Sequence, residues 1–336
     1  MKRFLIVGAL VISALINVTY AFPDVLVTHS YYLPTTYLVE RGVINGYPDG
    51  TFGPEKAINR AEALKVILVA ADKEIKENFA GKFADVSSDA WFAKYVETAA
   101  DLGIVSGDGD TGNFVPARQV NKAEFLKMVL KAFEINPDDY AKILNVEPKD
   151  VPADAWFAPY VKFAAKFKII DLDIEEKANP AKNLTRGEAI DILFRTLDKG
   201  HGLDPQILLN IAENHLIKTI NMLESADLLS AGLNVGIAER TMSILNNFLP
   251  DNITVKSSTK ITESIKNLVG AYVSGENGQL EAVLEAASNA WNLADEAEKL
   301  NPEQTLGITV KIKDLAHSIA EKARATQKES SLPTTE

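Results

Sequence analysis

The sequence predicts an all-α, mainly helical protein built as a repeat followed by an antiparallel bundle. Two observations carry this. A composite motif recurs three times between residues 22 and 198, each copy reading as two helices joined by a turn-rich loop. From about residue 204 to 327 there is helical periodicity alone, interrupted by short breakers. The length of 336 residues suits two or three domains. A hydrophobic content of 46% with 24% charged residues is that of a folded chain, which excludes wholesale disorder. The absence of cysteine excludes disulfides, thiol nucleophiles, iron–sulfur clusters and thiolate zinc sites. With 46 acidic against 35 basic residues, the chain also lacks the basic balance of a general nucleic-acid binder.

The first element, residues 1–21, reads as an export signal. Lys2 and Arg3 precede an apolar stretch from Phe4 to Ile16, shorter than the ~20 residues that span a bilayer, and Thr19 and Ala21 place small residues before a cleavage point. The other use of such a segment is an uncleaved N-terminal anchor. No later stretch reaches transmembrane length, so the mature chain is expected to have no membrane-spanning helix.

The repeat copies span about 22–72, 83–133 and 149–198. Phe22-Pro23-Asp24-Val25 recurs as Phe83-Ala84-Asp85-Val86 and more weakly as Lys149-Asp150-Val151. Ala90-Trp91-Phe92-Ala93 recurs as Ala155-Trp156-Phe157-Ala158. Asn59-Arg60-Ala61-Glu62 recurs as Asn121-Lys122-Ala123-Glu124 and Thr185-Arg186-Gly187-Glu188. Asp24 to Arg60 is 36 residues, Asp85 to Lys122 is 37 and Asp150 to Arg186 is 36. Each copy opens with an amphipathic helix. In the second copy it runs from Trp91 to Leu102, with Trp91, Tyr95, Ala99 and Leu102 on one face. Gly42 and Gly103 end the first helices of copies one and two. The loop Asn45-Gly46-Tyr47-Pro48-Asp49-Gly50 is rich in turn formers. The second helices begin with Asn or Thr followed three residues later by Glu, a capping box.

These residues resemble surface-layer homology (SLH) repeats, whose hallmarks are an F-x-D-V opening, a G-Y-x-D-G-T-F-x-P loop and I-T-R-A-E at the second helix. Copy one carries Gly46-Tyr47-Pro48-Asp49-Gly50-Thr51-Phe52-Gly53-Pro54. The resemblance covers about residues 22–198. It implies a pseudo-threefold domain around a central three-helix bundle. It also implies grooves that bind anionic, often pyruvylated, secondary cell-wall polysaccharide and anchor an exported protein at the cell surface without covalent linkage.

On this reading Arg60, Lys122 and Arg186 stand at helix starts, where free amides and the helix dipole favour an anion. A guanidinium adds a fork suited to a carboxylate. Asp24, Gly46, Trp91 and Trp156 complete the expected ligand-binding set. The tryptophans fit two uses, stacking on sugar or anchoring the core. The cations likewise fit ligand contact or plain solvated surface. Departures rank the grooves Arg60 first, Arg186 second and Lys122 last. Ser30 stands in the tryptophan position of copy one, and Lys122 lacks the fork. Copy three has Lys168 for the helix-ending glycine, Gly187 inside its motif and no Gly-Tyr-Pro-Asp-Gly loop. Asp108 to Asn113 resembles a calcium loop, but its twelfth position is Gln119 rather than Glu. No metal or cofactor is expected.

After a linker at 199–203, helices are expected at about 205–231, 236–249, 258–274, 278–299 and 302–328, followed by a disordered tail at 329–336. Trp291 reads as a core residue. The bundle has no His-x-x-x-His or Glu-x-x-His pair, and about 130 residues cannot hold a TIM barrel of roughly 250. The expectation is a secreted, non-enzymatic cell-wall or S-layer protein that displays the bundle to an envelope partner. A wall-acting enzyme with its site in the bundle and a self-assembling surface lattice are the other two classes.

Overall fold

The computed structural model describes residues 22–77, 79–109, 111–200 and 202–330. The expected export signal (1–21) and residues 331–336 of the expected tail lie outside the described residues. The chain is all-α, with isolated β-bridges but no strand among the described residues. It divides into two compact units between Leu203 and Asp204.

In the first unit the helices are α1 (Tyr32–Glu40), α2 (Arg60–Ala70), α3 (Ala93–Asp101), α4 (Lys122–Ala132), α5 (Ala158–Lys166) and α6 (Arg186–Lys199), with a 3₁₀ helix at Pro137–Ile143. Each repeat copy supplies two of the six. All three expected capping boxes are formed: Asn59, Asn121 and Thr185 accept from the amide of the Glu three residues on, and that Glu accepts from the cap's own amide. The first helix of each copy lies on the second helix of the copy before it: α3 on α2, α5 on α4 and α1 on α6. Backbone hydrogen bonds follow the same cyclic order. Ile58 N donates to Leu184 O (3.1 Å), Leu184 N to Val120 O (3.0 Å) and Val120 N to Ile58 O (3.2 Å), closing a ring through all three copies. Helix α2 touches both α4 and α6, and its Ala63, Leu64, Ile67 and Leu68 are fully enclosed.

The first helices bury a different face from the one expected. In α3 the enclosed residues are Ala93, Val96, Glu97, Thr98 and Ala99, while Trp91 and Leu102 are half exposed. Trp91 precedes the helix and Leu102 is its C-cap, so neither follows the helical periodicity. Gly42 and Gly103 do end their helices with φ of 72° and 68°. In copy three Lys168 adopts the same left-handed turn at φ 59°, with Ile169 N closing onto Ala164 O as Ile104 N closes onto Ala99 O.

The second unit is made of α7 (Pro205–Glu224), α8 (Leu228–Phe248), α9 (Ile253–Glu276), α10 (Leu280–Leu300) and α11 (Pro302–Ser330), with consecutive helices in contact. The expected 205–231 helix is two pieces. Gly232 lies inside α8, and the chain instead turns at Ala226 (φ 59°), with Asp227 N bonded to Met222 O and the Asp227 carboxylate capping Ser230 N. A glycine is tolerated in α8 because tertiary burial outweighs its helix-propensity cost of about 1 kcal/mol. Similarly, α9 starts at Ile253 rather than 258, since the side chain of the preceding Asn252 caps it by accepting from Val255 N. Trp291 is exposed rather than in the core, with the Lys313 ammonium 4.8 Å from its ring centre. The row Ala287, Ala290, Ala294, Ala297 is buried in its place, where small side chains let neighbouring helices approach. His215 is buried and bonded to Asn234 (2.8 Å), and burial holds its pKa down at about 4, so it stays neutral. Glu213 lines a cavity of about 30 Å³ with Leu216, Met242, Ser258 and Ile261. Burial pushes its pKa up to about 7.

Two predictions follow from these elements. Lys168→Gly removes the left-handed strain on a side-chain-bearing residue and is expected to raise stability by about 0.5–1 kcal/mol in urea unfolding. The raised pKa of Glu213 favours the folded state while the carboxyl is protonated, and that contribution fades as pH climbs from the unfolded value near 4.5 to about 7. Glu213→Gln should therefore flatten the loss of bundle stability between pH 5 and 8, by on the order of 1 kcal/mol after allowance for solvent at this half-buried site. Trp291 emission, in a background with Trp91 and Trp156 changed to Phe, reads this directly. Equal pH slopes in the two proteins would contradict it.

Candidate functional site

The site is built from the loop that follows the first helix of each copy. Asp24 holds that loop in copy one: its two carboxylate oxygens accept from Phe52 N (2.9 Å) and Gly53 N (2.7 Å). Burial works to raise its pKa, but these amide bonds outweigh burial and the net shift is downward. Asp85 binds Phe114 N and Val115 N in the same way, and Asp150 binds Ala178 N and Asn179 N. The weakly matching start of copy three thus has the same anchor. The clamp is strong enough to hold Val115, a β-branched residue, at φ 58°. Asp24 is therefore engaged within the fold. Gly46 is required by packing, since a Cβ there would lie 2.2 Å from the Phe22 ring and 2.8 Å from Thr51 O.

The anchored loop of each copy then meets the second helix of the preceding copy. Arg60 N donates to Arg118 O (2.9 Å) and Ala61 N to Pro116 O (3.2 Å); Lys122 N and Ala123 N donate to Lys182 O and Pro180 O; Arg186 N and Gly187 N donate to Lys56 O and Pro54 O. This corrects the expectation of free amides at the helix starts. The first two amides are used between copies and the third by the cap, so any anion must be held by side chains.

The three helix-start cations all bond a carbonyl of the next copy's loop. Arg60 Nε donates to Phe114 O (3.0 Å), with its guanidinium 4.9 Å from the Phe114 ring centre, and it is only 7% exposed. Arg186 Nε donates to Phe52 O (3.1 Å) and lies over the Tyr47 and Phe52 rings. Lys122 Nζ donates to Ala178 O (2.6 Å), and burial lowers its pKa.

Around Arg60 lies a cleft of about 650 Å³ to which all three copies contribute. Copy two supplies Gly103 to Gly109, with the acidic Asp108 among them, and Arg118, Glu124, Lys127 and Lys131, and copy three supplies Trp156. Arg118 pairs with Glu124 through both oxygens (2.6 and 3.2 Å), and Glu124 stands 3.8 Å from Arg60. Lys127 Nζ lies 5.0 Å from the Trp156 ring centre. Trp156 and Trp91 are each 54% exposed, so neither anchors the core. Of the expected set, the structure brings Arg60 and Trp156 into one cleft. Arg118, Lys127 and Lys131 were not read from the sequence. Lys127 and Lys131 do share one face of α4 at i,i+4 spacing, but only the fold turns that face toward Arg60.

Asp24→Ala is expected to destabilise the 22–203 unit by about 2 kcal/mol, because two loop amides lose a charged acceptor. Trp156→Ala, at an exposed ring, should change it little. Urea unfolding distinguishes the two, and an equal loss would make Trp156 a structural residue.

The sequence pattern of the S-layer homology domain matches residues 22–64, 82–126 and 149–190. Among curated relatives, the chain is 30% identical to S-layer protein EA1 of Bacillus anthracis over 182 residues, which is 54% of this chain and 20% of that protein. It is 29% identical to the surface-layer 125 kDa protein of Lysinibacillus sphaericus over 168 residues, 48% of this chain and 13% of that one. It is also 29% identical to an amylopullulanase of Thermoanaerobacterium thermosulfurigenes over 164 residues, 48% and 9% respectively. The chain thus spans a fifth or less of these relatives' length. Among the described residues no helix is long and apolar enough to cross a membrane. The three matched segments coincide with the three loop-and-helix units joined in the ring, and the chain is a cell-surface protein carrying three S-layer homology domains.

Proposed function

We propose that the chain is an exported, non-enzymatic protein held non-covalently on anionic cell-wall polysaccharide through the clefts of residues 22–203, with the 204–330 bundle displayed to an envelope partner. The observation that carries this reading is the Arg60 cleft. Arg60, Arg118, Lys127 and Lys131 gather there against the two carboxylates Glu124 and Asp108, a local excess of positive charge in a chain whose net charge is -11. Bulk charge opposes an anionic polymer, and screening to about 8 Å at physiological ionic strength lets a local cluster prevail. The exposed Trp156 offers an apolar plane to the C–H face of a sugar, and the arginine fork suits a carboxylate such as a pyruvyl ketal.

Sedimentation with purified wall polysaccharide tests the proposal. Binding is expected to weaken with salt, to fall after mild-acid removal of the ketal, and to drop at least tenfold in Arg60→Gln plus Arg186→Gln. Undiminished binding by that double variant would defeat the assignment of the clefts.

A further inference from the structure

The three helix starts and the loops they meet are built on one plan, so the chain contains its own comparison of what differs between the places where they join. Five residues after each helix-start cation comes Lys127 in α4, Lys65 in α2 and Asp191 in α6. Six residues after each loop-anchoring aspartate comes Trp156, Trp91 and Ser30. The packing of α5 on α4, α3 on α2 and α1 on α6 brings each of these pairs of positions to one helix seam. At the first seam Lys127 Nζ lies 5.0 Å from the Trp156 ring centre, and at the second Lys65 Nζ lies 5.9 Å from that of Trp91. The third seam has neither partner. Asp191 is ion-paired there with Arg195 (2.8 Å), which also bonds Asp171 (2.7 Å).

The charged neighbours of the two seams also differ. Tyr31, next to Ser30, has its hydroxyl pKa pushed up to about 12, first by burial and then by Glu188, Asp191 and Glu55. At the first seam burial, and after it the charge of Lys131, lowers the Lys127 pKa. The Tyr31 ring is also seated where a Cβ on Gly187 would stand, 2.3 Å from the nearest ring atom, so this seam is filled from copy one. The Lys122 cleft, which by the cyclic order shares the third seam, thus keeps its helix-start cation but lacks the seam lysine and tryptophan. Lys182 is bonded to Glu188 (2.5 Å) as Arg118 is to Glu124 in the Arg60 cleft, so the difference lies at Asp191 and at Arg195, which is held by two aspartates.

We infer that the lysine–tryptophan pair at the seam, and not the helix-start cation alone, selects which clefts accept a carboxylated sugar: the Arg60 and Arg186 clefts accept it, and Asp191 with Ser30 closes the Lys122 cleft to it. The physical reason is that a carboxylate entering the third seam meets a carboxylate where the other seams present an ammonium, and finds no ring on which its sugar can stack. This rests on the preceding proposal that the clefts bind anionic wall sugar.

Titration calorimetry of the full chain with a methyl hexoside bearing a 4,6-O-pyruvyl ketal reads the number of sites, with the ketal-free glycoside as the control ligand. The wild type is expected to bind two equivalents. Ser30→Trp plus Asp191→Lys should bind three, and the reciprocal exchange Lys127→Asp plus Trp156→Ser should bind one; the exchanged tryptophan and lysine are exposed or half-exposed, and Arg195 retains Asp171. Three equivalents in the wild type, or two in both exchange variants, would overturn the inference while leaving carbohydrate binding intact. No binding by the wild type would remove the proposed function, and this inference with it.

Discussion

In each repeat copy the second helix begins against the loop of the next copy, and the amides of its first turn donate to that loop's carbonyls. Helix starts carry orphan donors that must find partners when buried. Here the partners belong to another copy, and the three connections close on themselves through Ile58, Leu184 and Val120. No copy can satisfy its own helix start, so the loops, the clefts and the helix seams all depend on the ring being complete.

That constraint explains why the cations at the helix starts have two duties. Arg60, Lys122 and Arg186 each reach a carbonyl in the neighbouring loop, which fixes the loop and also places a positive charge at its edge. The guanidiniums keep donors beyond the one they spend on the carbonyl, and both lie over aromatic rings. The Lys122 ammonium stands beside Ala178 where the others have a phenylalanine. Differences between the clefts therefore arise from what the seams and loops add to a common frame.

The bundle is organised by a different balance. Buried hydroxyls of Thr219, Thr241 and Thr262 bond back to carbonyls four residues earlier, and the His215–Asn234 pair crosses from α7 to α8. Each buried polar group so placed is satisfied at low cost within its own helix or with its neighbour. Glu213 faces its cavity beside Leu216, Met242 and Ile261, and burial alone accounts for its raised pKa.

Local signals in the chain sufficed for the starts of the second helices and for two of the helix ends in the repeat. A capping box and a left-handed glycine depend on residues within one turn, so Asn59 with Glu62, or Gly103 with Ile104, announce themselves by spacing. The three copies and the resemblance of their motifs were legible for the same reason. What distance in sequence concealed was anything shared between copies. The engaged state of the first-turn amides depends on carbonyls 55 to 60 residues away for α2 and α4 and 130 or more for α6, and the cleft depends on Trp156 reaching Lys127 from the next copy. In the bundle, the break at Ala226 escaped pattern reading because an alanine took the turn that glycine usually marks, while Gly232 was carried through by packing. Sequence alone established the helical class, the threefold repetition and the candidate cations, because these rest on contacts within a turn or on self-similarity. Which charges converge, which tryptophans stay open to solvent and which amides are already used were settled only when the three copies closed on one another, because those properties belong to the seams between copies.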